Sequence, residues 1–418
     1  MQKRFFLFLL LISSVFFSCS SNDKVNSDEA SDGLEIIKVD LSEAREGKLS
    51  EFFESEIEYI WLQDDSEDAQ LGGLNKIFFH EDKIFTLDKF GCKCIQIFNR
   101  SGKFLHKLRS YGEGPEKYLD LDNAIIVKNE VLLLGVYPPK LMWFSMEGKF
   151  LREEKLEKQN GSGVFSEEEK RYYFYNKVRG VSNGQYFVES VNEFFQDTLR
   201  SFLYQEDGYY GNYSSQRSFI KENKIYFGRP FNDTIMVTKD GIFFPKFVFD
   251  FGYYKQSIEQ LKKNSENLSS VDELDFINHR AKLYFVPYGW YVTESQLYAD
   301  FKYEESFYMI FFDRNAKKTH ILNGRLKNDS DESIDPFSFT HLFSTDKVGF
   351  YLPGRFLFEE LQIKKAELGK DGFEEYVKGK GKNFAQVAFA AKDSENPVLI
   401  VYTTKKSSLP TGQAGMTQ

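Results

Sequence analysis

An all-β fold built from a repeated strand-rich unit is predicted for this 418-residue chain, and three observations carry the prediction. The first is aromatic content. Forty-four Phe and 24 Tyr against three Trp make the chain 17% aromatic, and bulky aromatics favour strands. The second is an internal repeat. Lys83-Ile-Phe-Thr-Leu-Asp88, Cys94-Ile-Gln-Ile-Phe98 and Asn99-Arg-Ser-Gly102-Lys-Phe-Leu105 are matched by Glu130-Val-Leu-Leu-Leu-Gly135, Lys140-Leu-Met-Trp-Phe144 and Ser145-Met-Glu-Gly148-Lys-Phe-Leu151. The third is the spacing of the turns. Gly102 and Gly148 stand 46 residues apart, and Thr238-Lys-Asp-Gly241 follows 93 residues later, two periods on. Each unit reads strand, loop, strand, tight turn, strand, with Gly supplying the positive φ of the turn. A period in the mid-forties with about four strands per unit is that of a β-propeller blade. An ordinary β-sandwich would not repeat at this length.

Residues 34–406 hold six to eight such periods, depending on what two insertions take up. Lys255 to Asn278 is predicted helical, with Ile258, Leu261, Leu268, Val271 and Leu274 roughly three apart. Glu359 to Lys382 is a second, highly charged helical segment. A ring left open would expose strand edges at its ends. Val398-Leu-Ile-Val-Tyr402 is therefore expected to pair beside Ile57–Leu62 and close the ring.

The N-terminus reads as an address. Lys3 and Arg4 precede an apolar run from Phe5 to Phe17, a secretory signal too short for a comfortable membrane span. It ends at Ser18-Cys19, which resembles a bacterial lipobox with Cys19 as the acylated residue, although Phe16 stands where an aliphatic residue is usual. The predicted organisation is a signal peptide over 1–18, a flexible Ser/Asn/Asp-rich tether over 19–33, the propeller over 34–406 and a disordered tail over 407–418. In that tail, Leu409-Pro-Thr-Gly412 lacks the intervening residue and apolar segment of a sortase signal. With 54 Lys+Arg against 63 Asp+Glu the chain carries −9, and losing Lys3 and Arg4 makes it more acidic by two. Nucleic acid is a poor partner for such a surface. The expected partners are the membrane, through the lipid, and an envelope glycan, peptide or protein.

Cys92 and Cys94 are expected to remain free thiols. Residues i and i+2 of a strand lie about 6.6 Å apart, too far for Cβ atoms that a disulfide holds about 3.5–4.5 Å apart. No second Cys/His pair at ligand spacing suggests zinc.

Several short motifs, in order along nearly the whole mature chain, resemble the six-bladed β-propeller lipoproteins of Bacteroidetes, related in shape to NHL and TolB-like propellers. Ile37-Lys-Val-Asp-Leu41 and Glu58-Tyr-Ile-Trp-Leu62 resemble the family's opening strands, and Lys83–Asp88 with Gly102-Lys-Phe104 its first full blade. Gly112-Glu-Gly114-Pro115 with Tyr118 resembles its inter-blade turn, with Glu116 and Lys117 replacing the usual Gly-Glu. Pro230-Phe-Asn-Asp-Thr-Ile235 and Glu395-Asn-Pro-Val-Leu-Ile400 resemble a later strand entry and the terminal strand. The resemblance implies six blades and an envelope location, but no particular chemistry.

No catalytic signature stands out. Pro115 lacks an N–H and no Lys-Ser/Thr follows Gly114, so this turn is not a phosphate loop. The five histidines are dispersed, and there is no Gly-x-Ser-x-Gly elbow. No cofactor is expected. Six-bladed lactonase-like enzymes hold a central Ca²⁺ with carboxylates and an Asn, so a calcium-dependent hydrolase is the alternative, as is a structural subunit of an envelope complex. The acidic stretches Asp64–Asp68 and Asp329–Glu332 read as solvated loops. Trp143, Trp290, Tyr288, Tyr291, Arg109 and Arg229 fall near strand ends or junctions and are the candidate ligand contacts, since flat aromatics suit sugars and peptides.

Overall fold

The computed structural model describes residues 33–156, 162–176, 185–203, 205, 210, 218–229, 231–284 and 289–406. The expected signal segment, Cys19, Pro230, Tyr288 and residues 407–418 lie outside them. After β1 (Glu35–Lys38) and β2 (Phe53–Trp61), the strands among the described residues fall in chain order into six sheets. The first holds β3 (Lys76–His80), β4 (Lys83–Asp88), β5 (Cys94–Asn99) and β6 (Phe104–Leu108). The second holds β7 (Leu121–Val127), β8 (Glu130–Gly135), β9 (Lys140–Ser145) and β10 (Phe150–Lys155). The third holds β11 (Ser162–Ser166), β12 (Arg171–Tyr175), β13 (Tyr186–Asn192) and β14 (Thr198–Leu203). In the fourth, β15 (Phe219–Lys221), β16 (Ile225–Gly228), β17 (Thr234–Lys239) and β18 (Ile242–Asp250) are joined by β1, parallel to β18 on the outer edge. In the fifth, β19 (Leu283–Tyr284) and β20 (Trp290–Val292) both pair with β21 (Gln296–Tyr303), followed by β22 (Ser306–Asp313) and β23 (Lys318–Asn323). The sixth holds β24 (His341–Leu342), β25 (Lys347–Pro353) and β26 (Pro397–Thr404), completed by β2.

Middle strands such as β5 and β9 are buried almost throughout, whereas the outer β10 is largely exposed. Continuous apolar runs are what a strand needs when both its faces are covered. Here neighbouring sheets cover them. Six apolar clusters fill gaps between successive sheets. One of these joins last to first, setting Phe343, Leu399 and Val401 against Ile77, Ile84 and Phe98. The expected closure is present, with Ile57 opposite Tyr402 and Trp61 opposite Val398. The result is an all-β, propeller-like fold.

The repeat seen in the sequence has a local cause. Gly102, Gly148 and Gly241 occupy the third-to-fourth-strand turn of their sheets with φ of +82°, +86° and +81°. At the first of these turns the Asn99 side chain accepts from the Ser101 and Lys103 amides. These turns and those between first and second strands form one face, called here the hairpin face. Connections between sheets form the opposite, loop face.

Both helical insertions lie on the loop face. The first is α1 (Ile258–Asn264), capped by Ser257, then α2 (Ser270–Asp275), capped by Ser269, then a π-helical turn over Phe276–Arg280. The single segment expected from the spacing is thus divided. The second is α3 (Gly354–Lys378), with Gly369 at φ +67° inside it, followed by α4 (Lys382–Ala390). It begins five residues before the charged segment that drew attention in the sequence, because Leu357 and Leu361 anchor it beside Phe384 and Ala388 over the sixth sheet.

One expectation is overturned. Cys92 and Cys94 form a disulfide. Cys94 opens β5, but Cys92 lies in the preceding turn. Lys93 between them has a φ of +49°, which breaks the strand geometry and brings the two Cα atoms to 5.2 Å.

Candidate functional site

The first strands of all six sheets face a common cavity of about 600 Å³. Phe78, Ile126, Val164, Ile220, Trp290 and Leu342, one from each sheet, are among its lining residues. The wall is therefore mostly apolar. Charged lining residues gather at the hairpin end, where Lys221 pairs with Glu167 and Lys128 with Glu193. His80 is hydrogen-bonded there to the Asn129 side chain, 2.9 Å away.

At the loop-face end the wall carries Lys76. It opens β3, four residues before the hairpin turn. Counted back from their own hairpins, Asn123 of β7 and Ser162 of β11 stand at the same register. The Lys76 ammonium donates to Asn123 Oδ1 at 2.9 Å and to the Ala124 carbonyl at 2.8 Å, and lies 5.6 Å from the centre of the Phe78 ring. Both hydrogen-bonding partners are neutral. The nearby Asp122 is engaged by Lys89 at 2.7 Å. Burial without a compensating anion lowers the Lys76 pKa to about 8. Asn123 Nδ2, beside it, and Ser162 Oγ of the third sheet are buried without a hydrogen-bond partner, an uncommon state for interior polar atoms. Only aligning the hairpins by their turns could have singled out these three residues from the sequence.

The residues chosen from the sequence are scattered. Trp143 is buried in the cluster between the second and third sheets, with the Arg152 guanidinium 4.5 Å above its ring. Trp290 is buried in the cluster between the fourth and fifth sheets and reaches the cavity wall. Tyr291 is fully buried and stacks on Tyr298 at 5.0 Å. Arg109 is exposed on the loop face, where its Nε donates to the Cys92 carbonyl and its guanidinium covers Tyr111 at 5.1 Å. Arg229 lies between the rings of Phe187 and Phe202, at 5.4 and 5.2 Å, and lines a separate pocket of about 230 Å³. Burial lowers its pKa. The fold thus places these side chains in separate regions, and among the described ones only Trp290 lines the axial cavity.

The inter-sheet turn is a structural device. Gly112 and Gly114 have φ of +139° and +104°, and Glu116 also lies in the left-handed region. Tyr118 is fully buried, donates to the Lys93 carbonyl at 2.7 Å and is pushed up to about 12 by burial. It therefore locks the loop between the first two sheets against the disulfide turn. Among the described residues no three His, Cys, Asp or Glu side chains gather to hold a metal ion.

The match to a family model covers residues 34–403, and that family is described as a domain of unknown function, DUF4934. The chain belongs to this family. No curated protein matches its sequence. Among solved structures, BF0058 of Bacteroides fragilis NCTC 9343, named as an inferred exported protein, is similar with a TM-score of 0.68. It is 17% identical, over 88% of this chain and 100% of that one. A member of the DUF4221 family from Bacteroides vulgatus ATCC 8482 is similar at a TM-score of 0.51 and 9% identity, covering 85% and 97% of the two chains. At these identities the likeness concerns the fold. None of the described helices is long and apolar enough to cross a membrane.

Proposed function

We propose that this DUF4934 chain is a six-bladed β-propeller, anchored in the cell envelope by lipid at Cys19, which binds an envelope glycan, peptide or partner protein at its loop face. One observation carries the binding role: an axial cavity of about 600 Å³ whose wall takes an apolar residue from every sheet. Apolar cavities with a few placed polar groups are the usual form of ligand sites. Six sheets joined through six clusters support the blade count. The Cys92–Cys94 disulfide supports export, because such bonds persist in oxidising compartments. The B. fragilis neighbour, named as an inferred exported protein, supports it by analogy of fold.

Two experiments test this reading. Labelled palmitate should enter the wild-type protein in cells and be absent from Cys19→Ser, and equal labelling would remove the anchor. Glycan arrays and pull-downs from envelope extracts should yield a ligand lost on Leu342→Arg, which places a charge in the cavity wall. Retention of that ligand by a folded Leu342→Arg protein would rule out the cavity as its site.

A further inference from the structure

Resting on the cavity's role as a binding site, we infer that its ligand presents a single carboxylate on an apolar or aromatic body, and that Lys76 receives the carboxylate.

The argument begins with charge. Of the three lysines lining the cavity, Lys128 and Lys221 have carboxylate partners, while Lys76 has two neutral oxygens. The two carboxylates of the lining, Glu167 and Glu222, sit at the opposite, hairpin ends of their strands. An ammonium has three donors, and Asn123 and Ala124 take two. The third has no hydrogen-bond partner among the described residues and belongs to a group that lines the cavity. Lys76 is half-buried, and a charge withdrawn from water without a counter-ion is costly, a cost that an arriving anion would offset.

The number of donors then selects the anion. One monocation with one spare donor matches a monoanion. A phosphomonoester carries nearly two charges and three acceptor oxygens at neutral pH, and calls for more donors than this wall offers. The rest of the ligand follows from the apolar lining. Phe78 lies beside Lys76, and Ile126, Val164 and Leu342 continue the surface. Asn123 Nδ2, buried and unpartnered, leaves polar capacity next to the ammonium, and Ser162 Oγ is a second unpartnered polar atom at the same register of the third sheet.

The test uses the full chain in detergent and matched pairs differing only in charge: phenylacetate against phenylacetamide, and hexanoate against hexanamide. Calorimetry or ligand-observed NMR should show the acids binding ten- to a hundredfold tighter than the amides, the range of a charge-assisted hydrogen bond. Lys76→Met should reduce that ratio to near one, and Lys76→Arg should keep much of it. A melting curve establishes that both variants are folded. Equal binding of acid and amide by the wild type, or an acid preference surviving Lys76→Met, would overturn the assignment while leaving the cavity a binding site. Binding of neither member of either pair would overturn both.

Discussion

The first sheet has two junctions, and they are built differently. Against the sixth sheet it makes close backbone approaches. The Phe79 amide donates to the Phe343 carbonyl at 3.1 Å, and the Gln63 amide to the Gly102 carbonyl at 2.8 Å. Asn396 clasps the same region, donating to the Leu62 and Ala69 carbonyls and accepting from the Leu71 amide. Against the second sheet the first makes an apolar core rimmed by long side chains, Lys76 to Asn123, Lys89 to Asp122 and His106 to the Met146 carbonyl. The closing junction joins the two ends of the chain, so it must be specific. The neighbouring one joins segments adjacent in sequence, so its rim is available for polar groups that serve something other than cohesion.

The largest test removes the closing junction. Deletion of residues 396–406 takes away β26, leaving β2 and β25 without their shared partner. The truncated protein should show no cooperative thermal transition by circular dichroism. A melt like that of the full chain would mean that closure contributes little. Next, the same turn can be compared at both junctions. A Cβ on Gly102 would fall 1.8 Å from the Trp61 carbonyl oxygen, whereas one on Gly148 would lie 3.8 Å from Leu108. Both glycines have positive φ, so both substitutions carry strain. Gly102→Ala should cost about 4 kcal/mol and Gly148→Ala about 1 kcal/mol in denaturant titration. Similar losses at both would show that the closing junction is no tighter.

The smallest effect concerns the rim. Lys76 has a folded pKa of about 8, below the roughly 10.4 of an unfolded lysine. Between these values the native state has released a proton that the unfolded state keeps, so this residue makes stability rise with pH across that window. At neutral pH its burial costs up to about 3 kcal/mol. Lys76→Met should therefore raise the melting temperature at pH 7, and its advantage over wild type should shrink as pH approaches 10. A variant that melts lower than wild type at pH 7 would show Lys76 to be a structural asset.

What could be read from the sequence follows the same division. The hairpins of the first two sheets were legible because each is local, with a turn glycine and an apolar run fixed by neighbouring residues. The pairing of Val398–Tyr402 with Ile57–Trp61 was legible from the need to cover an open edge. Other features depend on contacts distant in sequence, or on one backbone angle. The parallel seat of β1 on β18 needs the folded ring. The disulfide needs Lys93 in a left-handed conformation, which strand geometry alone does not supply. Lys76, Asn123 and Ser162 are 47 and 39 residues apart and share no motif. Trp143 and Arg109 were conspicuous by residue type, yet the ring uses the first in its core and the second on a loop.

The direction of β1 has a consequence for how the molecule would stand at a surface. Because β1 runs parallel to β18, which leads from the hairpin face to the loop face, the chain enters the ring from the hairpin side. Fifteen residues of flexible chain have a root-mean-square reach of about 20 Å. If the lipid proposed above is attached at Cys19, a link of that length would turn the hairpin face to the bilayer. Under that proposal the opposite face, with both helical insertions and the Lys76 end of the cavity, would look outward to whatever diffuses past.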